Sequence, residues 1–446
     1  MTKSTLRKLT TLILIILILN IIQYSGLIKL YSINYNKNDE TINLIKPQAS
    51  NSTIFINGTA RGVGAHNWTW ASSQEWCSGN GTWSDPFIIE KIYLRNAQIQ
   101  IINSESYFII RYCSIYIGSI KISNSSNGVL FNNPIQVNSN QIGINILKGN
   151  NFNISNNYIL GSYPCGIKLN ITNNTTISKN TILDAEEYGI YCESCINLNL
   201  VYNILKTVDF FDHGSPIYVY EYISLLNVNF SKISGNTLDF WDGYNNIVLH
   251  YSNYNLIHNN SVLSLEAFSR LYLFKSSFNN ISNNLFQGES PGIILLMGSC
   301  SNIISHNNIS HIHDGITLYS ESNYNLIIMN QIIYDINYDP IDGNGIKVLD
   351  SNHNNISNNK IQNSQFGIEL SKSNYNIIKY NEIREFTLGC IRETSCEGNI
   401  ITDNYCSSST APSDKDNGIN WYFSVLIFIG LGLLAVILIT KIRSKR

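Results

Sequence analysis

The residues best suited to chemistry are acids, imidazoles and aromatic rings that recur in one connection of a repeated segment. Flat aromatic rings suit the faces of sugars, while carboxylates suit sugar hydroxyls or a bound cation. This pattern predicts one elongated, acidic and aromatic loop edge that binds a linear polysaccharide. The candidate ligand-binding residues are Asp209, Asp212, His213, Trp241, Asp242, His313, Asp314, Asp339 and Asp342, with Tyr191, Tyr218 and Tyr272 on the outward side of the adjacent strand.

The acids of this edge do not define a catalytic pair. A glycosidase needs two carboxylates ~5–10 Å apart, and stacked repeats bring acids that close by their geometry alone. Polar residues also gather in the loops of any solenoid, so the edge can serve solubility instead. The catalytic residues stay unassigned; if the protein also processes its ligand, it would be a polysaccharide hydrolase, lyase or epimerase. A structural or adhesive rod without catalysis is an alternative to a glycan-binding protein.

The connections belong to a repeat of 22 or 23 residues. Gly143, Gly166 and Gly367 each open a Gly-Ile-x-aliphatic segment, and an Ile-x-x-Asn-x-Ile segment follows about eleven residues later. Such self-similarity is typical of a solenoid. The chain therefore grows coil by coil.

The repeat step lengthens to about 28–30 residues between Gly189, Ile217 and Ile247. We expect insertions at residues 205–216, 219–230 and 333–344, which would flank a groove in the middle of the rod. Trp241 is the one large aromatic surface among the groove candidates.

Within each repeat, apolar and other residues alternate over three to five positions, which predicts short strands. Three such strands per repeat describe an all-β solenoid of about 11–13 coils, each rising ~4.8 Å. The Asn of Ile-x-x-Asn-x-Ile is expected at a bend with left-handed backbone angles, bonded to its equivalents in neighbouring coils. The Gly before each first strand is expected to have a positive φ.

The Gly-Ile-x-Leu and Ile-x-x-Asn-x-Ile coil resembles the right-handed parallel β-helix repeats of NosD-type proteins. It also resembles those of the wider CASH group of carbohydrate-binding and sugar-hydrolase proteins. The likeness covers about residues 85–406, and Gly81 to Glu90 is similar to the segment that opens such domains. The resemblance implies a single-stranded right-handed parallel β-helix. It does not identify an activity, because many activities occur on this scaffold.

The NosD resemblance also implies a copper-binding accessory protein as a second alternative. His311, His313 and Asp314 are the candidate metal ligands, since His213 would lie about four coils, or ~19 Å, from His311. Calcium is the other cofactor that the acidic edge could hold. The sequence assigns neither of these cofactors.

Composition excludes several protein classes. A chain of 446 residues exceeds the ~250–300 at which a single core stops growing, and 44% hydrophobic residues exclude disorder. Asparagine and isoleucine, at 64 and 72 residues, make up nearly a third of the chain, which itself requires a repeat. A net charge of −2 with few cations argues against nucleic-acid binding.

The two ends predict a membrane location. Lys3, Arg7 and Lys8 precede an apolar run, so residues 1–30 are expected to be a signal peptide or an N-terminal anchor. Residues 419–440 are expected to be a transmembrane helix. The basic residues that follow it are expected to stay in the cytoplasm. The β-helix is therefore expected on the outer face of the cytoplasmic membrane. The remaining segments are a linker and N-terminal cap at 31–84, the β-helix at 85–406, a flexible stalk at 407–418 and a basic tail at 441–446.

Nine cysteines fit an oxidising exterior, and we expect one or two disulfides, with Cys77 and Cys113 as a candidate pair. Four further cysteines lie at or beside apolar repeat positions and are expected to fill the core, namely Cys165, Cys192, Cys390 and Cys406. The sequons that precede the Asn-rich coils are the candidates for glycosylation, namely Asn51, Asn57, Asn67 and Asn80.

Overall fold

The chain winds into a parallel β-solenoid of about 13 turns. We describe it from a computed structural model, which describes residues 52–137, 140–207, 219–288, 291–311, 313–334 and 343–408. Each turn carries a first, a second and a third strand, and each strand pairs in parallel with its equivalents in the turns before and after it. The predicted all-β solenoid is confirmed.

The strands form three parallel stacks. The longest strands pass from one stack into the next, so each of them supplies two strand positions and is given only once, with the first strands. The first strands are Ile54–Asn57, Ile99–Ser104, Ile120–Phe131, Ile144–Ser155, Cys165–Asn173, Tyr188–Glu193, Val219–Leu226, Thr237–His250, Ser261–Phe274, Ile293–Leu296, Ile316–Tyr319, Ile346–Leu349, Lys360–Ser371 and Glu382–Thr394. Further second strands are Phe87–Glu90, Phe108–Arg111, Thr175–Ser178, Leu198–Val201, Lys232–Ser234, Leu256–His258, Asn280–Ser282, Ile303–Ser305, Leu326–Ile328, Asn355–Ser357, Ile377–Lys379 and Ile400–Thr402. Further third strands are Tyr93–Arg95, Ser114–Tyr116, Pro134–Gln136, Tyr158–Ser162, Thr181–Ala185, Ile204–Lys206, Leu285–Gly288, Asn308–His311, Gln331–Tyr334 and Tyr405–Ser407.

The core lies inside the turns and consists mainly of stacked isoleucines. Ile316 is fully buried and lies in register with Ile293 in the turn before and with Ile346 in the turn after. Because β-branched side chains suit a pleated, buried surface, the Ile-rich pattern favours strands over helices here. Each turn is thus supported by its two neighbours.

The asparagine of Ile-x-x-Asn-x-Ile forms a buried ladder, as predicted. Asn307 Nδ2 donates to Asn330 Oδ1 and to the Ile281 carbonyl, both at 3.0 Å, while Asn307 Oδ1 accepts from the Asn284 backbone N–H at 2.9 Å. Each amide therefore satisfies backbone groups at the bend as well as its neighbours. The ladder contains Asn133, Asn157, Asn180, Asn203, Asn236, Asn260, Asn284, Asn307, Asn330, Asn359, Asn381 and Asn404.

The left-handed residue at this bend is not the ladder asparagine, so that part of the prediction was wrong. The residue before it has the positive φ, for example 56° at His306 before Asn307 and 55° at Met329 before Asn330. The preceding side chain can then point to solvent, while the asparagine turns inward to reach its neighbours. The bend consequently tolerates many residue types at its left-handed position.

The glycine before the first strand does not have a positive φ either, which corrects the second backbone prediction. At Gly189, an added Cβ would overlap the side chain of Leu205 and lie 2.8 Å from the Tyr222 carbonyl. At Gly367 it would overlap Ile383. Glycine is needed here because the corner brings the backbone against the core.

The structure also corrects the register around the first insertion. Ile190 pairs with Ile223, so the turn begins there and not at Ile217. Residues 219–226, expected to lie in an insertion, form a first strand. Ile217 lies outside the described residues. The apolar character of both isoleucines made the two registers look alike in the sequence.

The N-terminal end of the solenoid is covered by aromatic side chains. Helix α1 (Trp68–Ser72) begins after Asn67, whose side chain accepts from the Trp70 N–H at 3.0 Å. Trp68 is buried, stacks on Phe87 at 4.5 Å and donates from Nε1 to Ser104 Oγ at 2.7 Å. A short strand, Cys77–Ser78, pairs antiparallel with Phe87–Glu90 beside it.

A disulfide at the other end joins Cys390 to Cys406 in neighbouring turns. These two cysteines were expected to be core fillers. The expected pair, Cys77 and Cys113, is free, and the Cys113 thiol instead donates to the carbonyls of Ile89 and Arg111. Among the described residues no helix is long and apolar enough to cross a membrane, and the span expected at 419–440 lies outside them.

Candidate functional site

The connections between third and first strands lie on one edge of the solenoid, here called the loop edge. The positions of Asp242 and Glu266 are adjacent in register on this edge, and Trp241 precedes Asp242 in the strand Thr237–His250. His311 ends the strand Asn308–His311. The expected site residues Asp209, Asp212, His213, Tyr218, Asp339 and Asp342 lie outside the described residues.

Two described acids of the loop edge, Asp239 and Asp314, are paired with lysines. Asp239 lies 2.8 Å from Lys206 Nζ. Asp314 lies 3.3 Å from Lys347 Nζ and also accepts from the Asn344 backbone N–H at 2.9 Å. Burial lowers the pKa of Lys347, but Asp314 outweighs it and raises that pKa above its usual value. These acids are therefore neutralised within the protein.

A second group of polar and aromatic residues lies on the outer face of the first strands. Tyr191, Ser224, Val248 and Tyr272 occupy the same outward position in four successive turns, here called the outer column. Ser224 and Val248 are buried, whereas the two tyrosines are partly exposed. Tyr191 and Tyr272 are three turns apart, or about 14 Å. Ser224 therefore holds the place expected for Tyr218.

Two carboxylates and an imidazole flank the outer column. Glu193 and His250 share a register position two residues after the outer column. Glu221 lies on the opposite side, three residues before Ser224. His250 Nε2 is 4.0 Å from the Glu221 carboxylate. The Glu193 carboxylate lies close enough to the Tyr191 phenol to raise its pKa.

These contacts change the acidity of both tyrosines. Burial, helped by Glu193, Tyr188 and Glu221, holds the pKa of Tyr191 well above its usual range. Burial and the charge of Glu221 also raise the pKa of Tyr272. Both phenols are thus neutral hydrogen-bond donors at physiological pH, next to carboxylates that accept.

Further rings extend this surface across the face. His250 lies 5.8 Å from Tyr272 and 5.5 Å from Phe274, measured between ring centroids. Phe268, which is exposed on the loop-edge side, lies 6.3 Å from Tyr272. Three turns away, also on the loop-edge side, Tyr188 lies 4.9 Å from Tyr191. Aromatic rings therefore lie at both ends of the outer column, with acids beside it.

An exposed stack of rings, not predicted from the sequence, lies at the corner after the first strand. Tyr254 stacks between Phe230 at 5.1 Å and Phe278 at 5.0 Å, with ring planes 6° apart in both pairs. His353 stacks in the same way between Tyr324 and Tyr375. The repeated Tyr-Asn-Leu-Ile and Tyr-Asn-Ile-Ile segments carried this signal. Because the stacked rings cover each other's faces, they offer mainly edges to a ligand.

The three glycosylation candidates within the described residues differ in accessibility. Asn80 is exposed and its Nδ2 donates to Asp85 at 2.6 Å. Asn67 caps helix α1 and its Nδ2 donates to the Ala60 carbonyl, and Asn57 accepts from Thr59 and Asn103. Modification of these asparagines stays a prediction, and Asn51 lies outside the described residues.

The metal site predicted at His311, His313 and Asp314 stays a prediction, because the His311 side chain lies outside the described residues. No three His, Cys, Asp or Glu side chains among them come close enough to share a metal ion. Of the expected ligands, Asp314 is held by Lys347 and by the Asn344 backbone, as described above. No metal-dependent step is therefore derived.

Two family models match the chain. The model described as periplasmic copper-binding protein (NosD) matches residues 211–341 and 336–426, and the model described as right-handed β-helix region matches residues 92–236. No curated protein matches the chain.

Several solved structures share the architecture at low identity. A double mutant of the periplasmic alginate epimerase AlgG is 14% identical, with a TM-score of 0.46 over 72% of this chain and 85% of that one. The A-module of a mannuronan C-5 epimerase from Azotobacter vinelandii is 13% identical, with a TM-score of 0.42 over 71% and 89%. DFA-IIIase from Arthrobacter chlorophenolicus A6 without its lid is 12% identical, with a TM-score of 0.42 over 80% and 100%. At these identities the likeness concerns the fold alone.

Proposed function

Since this chain is a NosD-type right-handed β-helix repeat protein, we propose that it uses the outer face of its first strands to bind a polysaccharide. The scaffold alone hosts many activities, so the choice of ligand rests on the surface of this chain. The observation that carries the proposal is the outer column, in which Tyr191 and Tyr272 flank two small buried residues between rows of hydrogen-bonding groups.

The chemistry of this face suits sugar rings. Tyrosine combines a flat apolar ring with a hydroxyl, and the two rings are spaced so that separate units of one chain can contact each. Glu193, Glu221 and His250 supply acceptors and a further ring. Each contact contributes only about 1 kcal/mol, so useful affinity requires a ligand long enough to make several.

The charge of the face favours a neutral polysaccharide over a polyuronate. Glu193 and Glu221 both lie beside the outer column, and like charges that are brought together oppose binding. Sugar hydroxyls instead donate to such carboxylates in short, charge-assisted hydrogen bonds.

The proposed contact area extends onto the loop edge. Trp241 and Asp242 precede Val248 and His250 in the same strand, Thr237–His250, so they belong to a turn in the middle of the outer column. The groove predicted from Asp209, Asp212, His213, Trp241, Asp242, His313 and Asp314 is kept as part of this proposal. Catalysis is not part of it.

We further propose that the β-helix lies on the outer face of the cytoplasmic membrane, anchored by residues 419–440. The uncharged C-terminal segment and its basic tail support this orientation, and the Cys390–Cys406 disulfide fits an oxidising compartment. Protease added to intact cells should remove the ectodomain and leave a small C-terminal fragment. Full-length protein surviving that treatment would contradict the orientation.

Titration calorimetry of the full-length protein with neutral and acidic polysaccharides tests the proposed ligand. We expect binding to a neutral chain that strengthens with chain length and weakens in Tyr272→Ala. If no polysaccharide binds, the protein is better regarded as the structural or adhesive rod, which needs only the fold and the anchor.

A further inference from the structure

The corner before the first strand is built differently in three successive turns. The turns on either side have glycine at this inward position, at Gly189 and Gly292, but these three have Tyr222, Asn246 and Arg270, all buried. Nine positions separate Val262 in the third strand from Leu271 in the following first strand. Their equivalents in the next turn, Phe286 and Ile293, are only seven positions apart. The longer connection thus coincides with large polar side chains at the inward position.

Arg270 is the largest fully buried side chain among the described residues. Its Nη1 donates to the Ser310 carbonyl at 2.8 Å, whereas its Nε and Nη2 have no hydrogen-bond partner. No ion pair joins it to any described acid. Burial lowers the pKa of Arg270 to about 9, so the guanidinium is still charged at neutral pH.

Two more buried polar side chains without hydrogen-bond partners lie in the same turn as Arg270 or in the neighbouring one. Asn246 lies opposite Arg270 in the neighbouring turn, between the paired positions Asn245–Ser269 and Ile247–Leu271, and both of its amide atoms lack a partner. Ser264 precedes Arg270 in the strand Ser261–Phe274, is fully buried, and its hydroxyl also lacks a partner. Buried polar groups are normally satisfied, so three such side chains in two neighbouring turns indicate a missing component.

The missing component must carry negative charge. A buried cation without a counter-charge is strongly destabilising, and a neutral water molecule cannot replace that charge. Nε and Nη2 lie on one edge of the guanidinium and point the same way, which matches the two oxygens of a planar oxyanion better than a spherical ion.

We propose that this corner binds a small planar oxyanion of the carboxylate class. The Nε–Nη2 edge of Arg270 holds it side-on, with the Asn246 amide and the Ser264 hydroxyl as further donors. Such a ligand would satisfy the donors that the protein leaves unpaired and would tie together three turns below the outer column. This inference does not depend on polysaccharide binding at the outer face.

The test uses the full-length protein and formate as the probe. Thermal unfolding is followed while potassium formate replaces potassium chloride at constant ionic strength. The wild-type midpoint should rise by a few degrees and then saturate, because a ligand of the folded state stabilises it by mass action. Arg270→Met should show no such rise, and Arg384→Met, which removes an exposed arginine, should respond like wild type.

A direct measurement guards against misfolding of the methionine variant. Saturation-transfer NMR should detect bound formate with wild type and lose that signal with Arg270→Lys, which keeps the charge but not the two-pronged donor edge. Equal midpoint shifts in wild type and Arg270→Met would overturn the proposal. So would the absence of a formate signal with wild-type protein.

Discussion

Asn307 and Asn330 share a buried 3.0 Å hydrogen bond between side-chain amides in successive turns. The same bond recurs along the ladder, so each turn fixes the register of the next one. Side chains that must face outward together, such as those of the outer column, therefore stay aligned over many turns. The ladder is the physical link between the repeat and the proposed binding surface.

Asn307→Ala should destabilise the protein by on the order of 3 kcal/mol. The change leaves the Asn284 N–H and the Ile281 carbonyl, both buried, without their side-chain partner. Urea denaturation measures the loss, and Asn308→Ala, an exposed asparagine in the same turn, is the matched control. Equal midpoints for the two variants would show that the ladder is dispensable.

Ile316→Ala should cost on the order of 2–5 kcal/mol through the cavity it leaves. Ile316→Asp should disrupt several turns, because it places a charge between Ile293 and Ile346. The control is Ile303→Ala, which truncates an isoleucine that is 41% exposed. An unmoved melting curve for Ile316→Asp would contradict the stacked core.

Tyr191 should make stability fall as the pH rises above about 10. Its pKa is raised in the folded protein, so the unfolded chain releases this proton near the ordinary value of ~10 while the folded chain retains it. Loss of a proton on unfolding favours the unfolded state at high pH. The urea midpoint of wild type should therefore fall more between pH 9 and 11 than that of Tyr191→Phe.

Glu193→Gln should reduce this pH dependence, since the Glu193 carboxylate is one cause of the raised pKa. Tyr405→Phe, which changes an exposed tyrosine in the last turn, controls for general alkaline effects. An identical pH dependence in wild type and Tyr191→Phe would refute the coupling between Tyr191 and its neighbours.

Cys406→Ser should loosen the last turns selectively. The disulfide joins two residues that are 16 apart in sequence. By restricting the unfolded chain, a cross-link of this length is expected to stabilise the folded state by about 3 kcal/mol. Limited proteolysis should cut the last turns of the variant faster, and reduced wild type should behave like it. Cys300→Ser, which alters a free cysteine, should be cut like oxidised wild type. Unchanged cleavage would mean that the ladder alone holds these turns.

Much of the fold was predictable because one physical pattern repeats. The isoleucine spacing predicted the inward positions, including the pairing of Ile293, Ile316 and Ile346, and the asparagine spacing predicted the ladder. The left-handed residues were assigned one position too late, since the sequence shows which residue recurs but not how the bend divides its torsion angles. The disulfide could not be predicted, because Cys390 and Cys406 have the same spacing as core residues.

The site was less predictable because it depends on register between distant turns. Tyr191 and Tyr272 were identified as outward residues, but Ser224 was missed since an insertion of unknown end precedes it. Glu193, Glu221 and His250 are single residues in different turns, and only the pairing of strands brings them together. Arg270 stands where the pattern expects glycine, and that departure was a signal in the sequence.

The measurement that tests the central claim most directly is calorimetric titration of neutral polysaccharides into wild type, Tyr191→Ala, Tyr272→Ala and the double variant. Tyr405→Ala serves as the matched control. We expect each single change to weaken binding about tenfold, near 1.4 kcal/mol, and the double change to weaken it about a hundredfold. Trp241→Ala should weaken binding as well, while Tyr405→Ala should bind like wild type. Absence of binding by wild type, or equal affinity in wild type and the double variant, would contradict polysaccharide binding at the outer column.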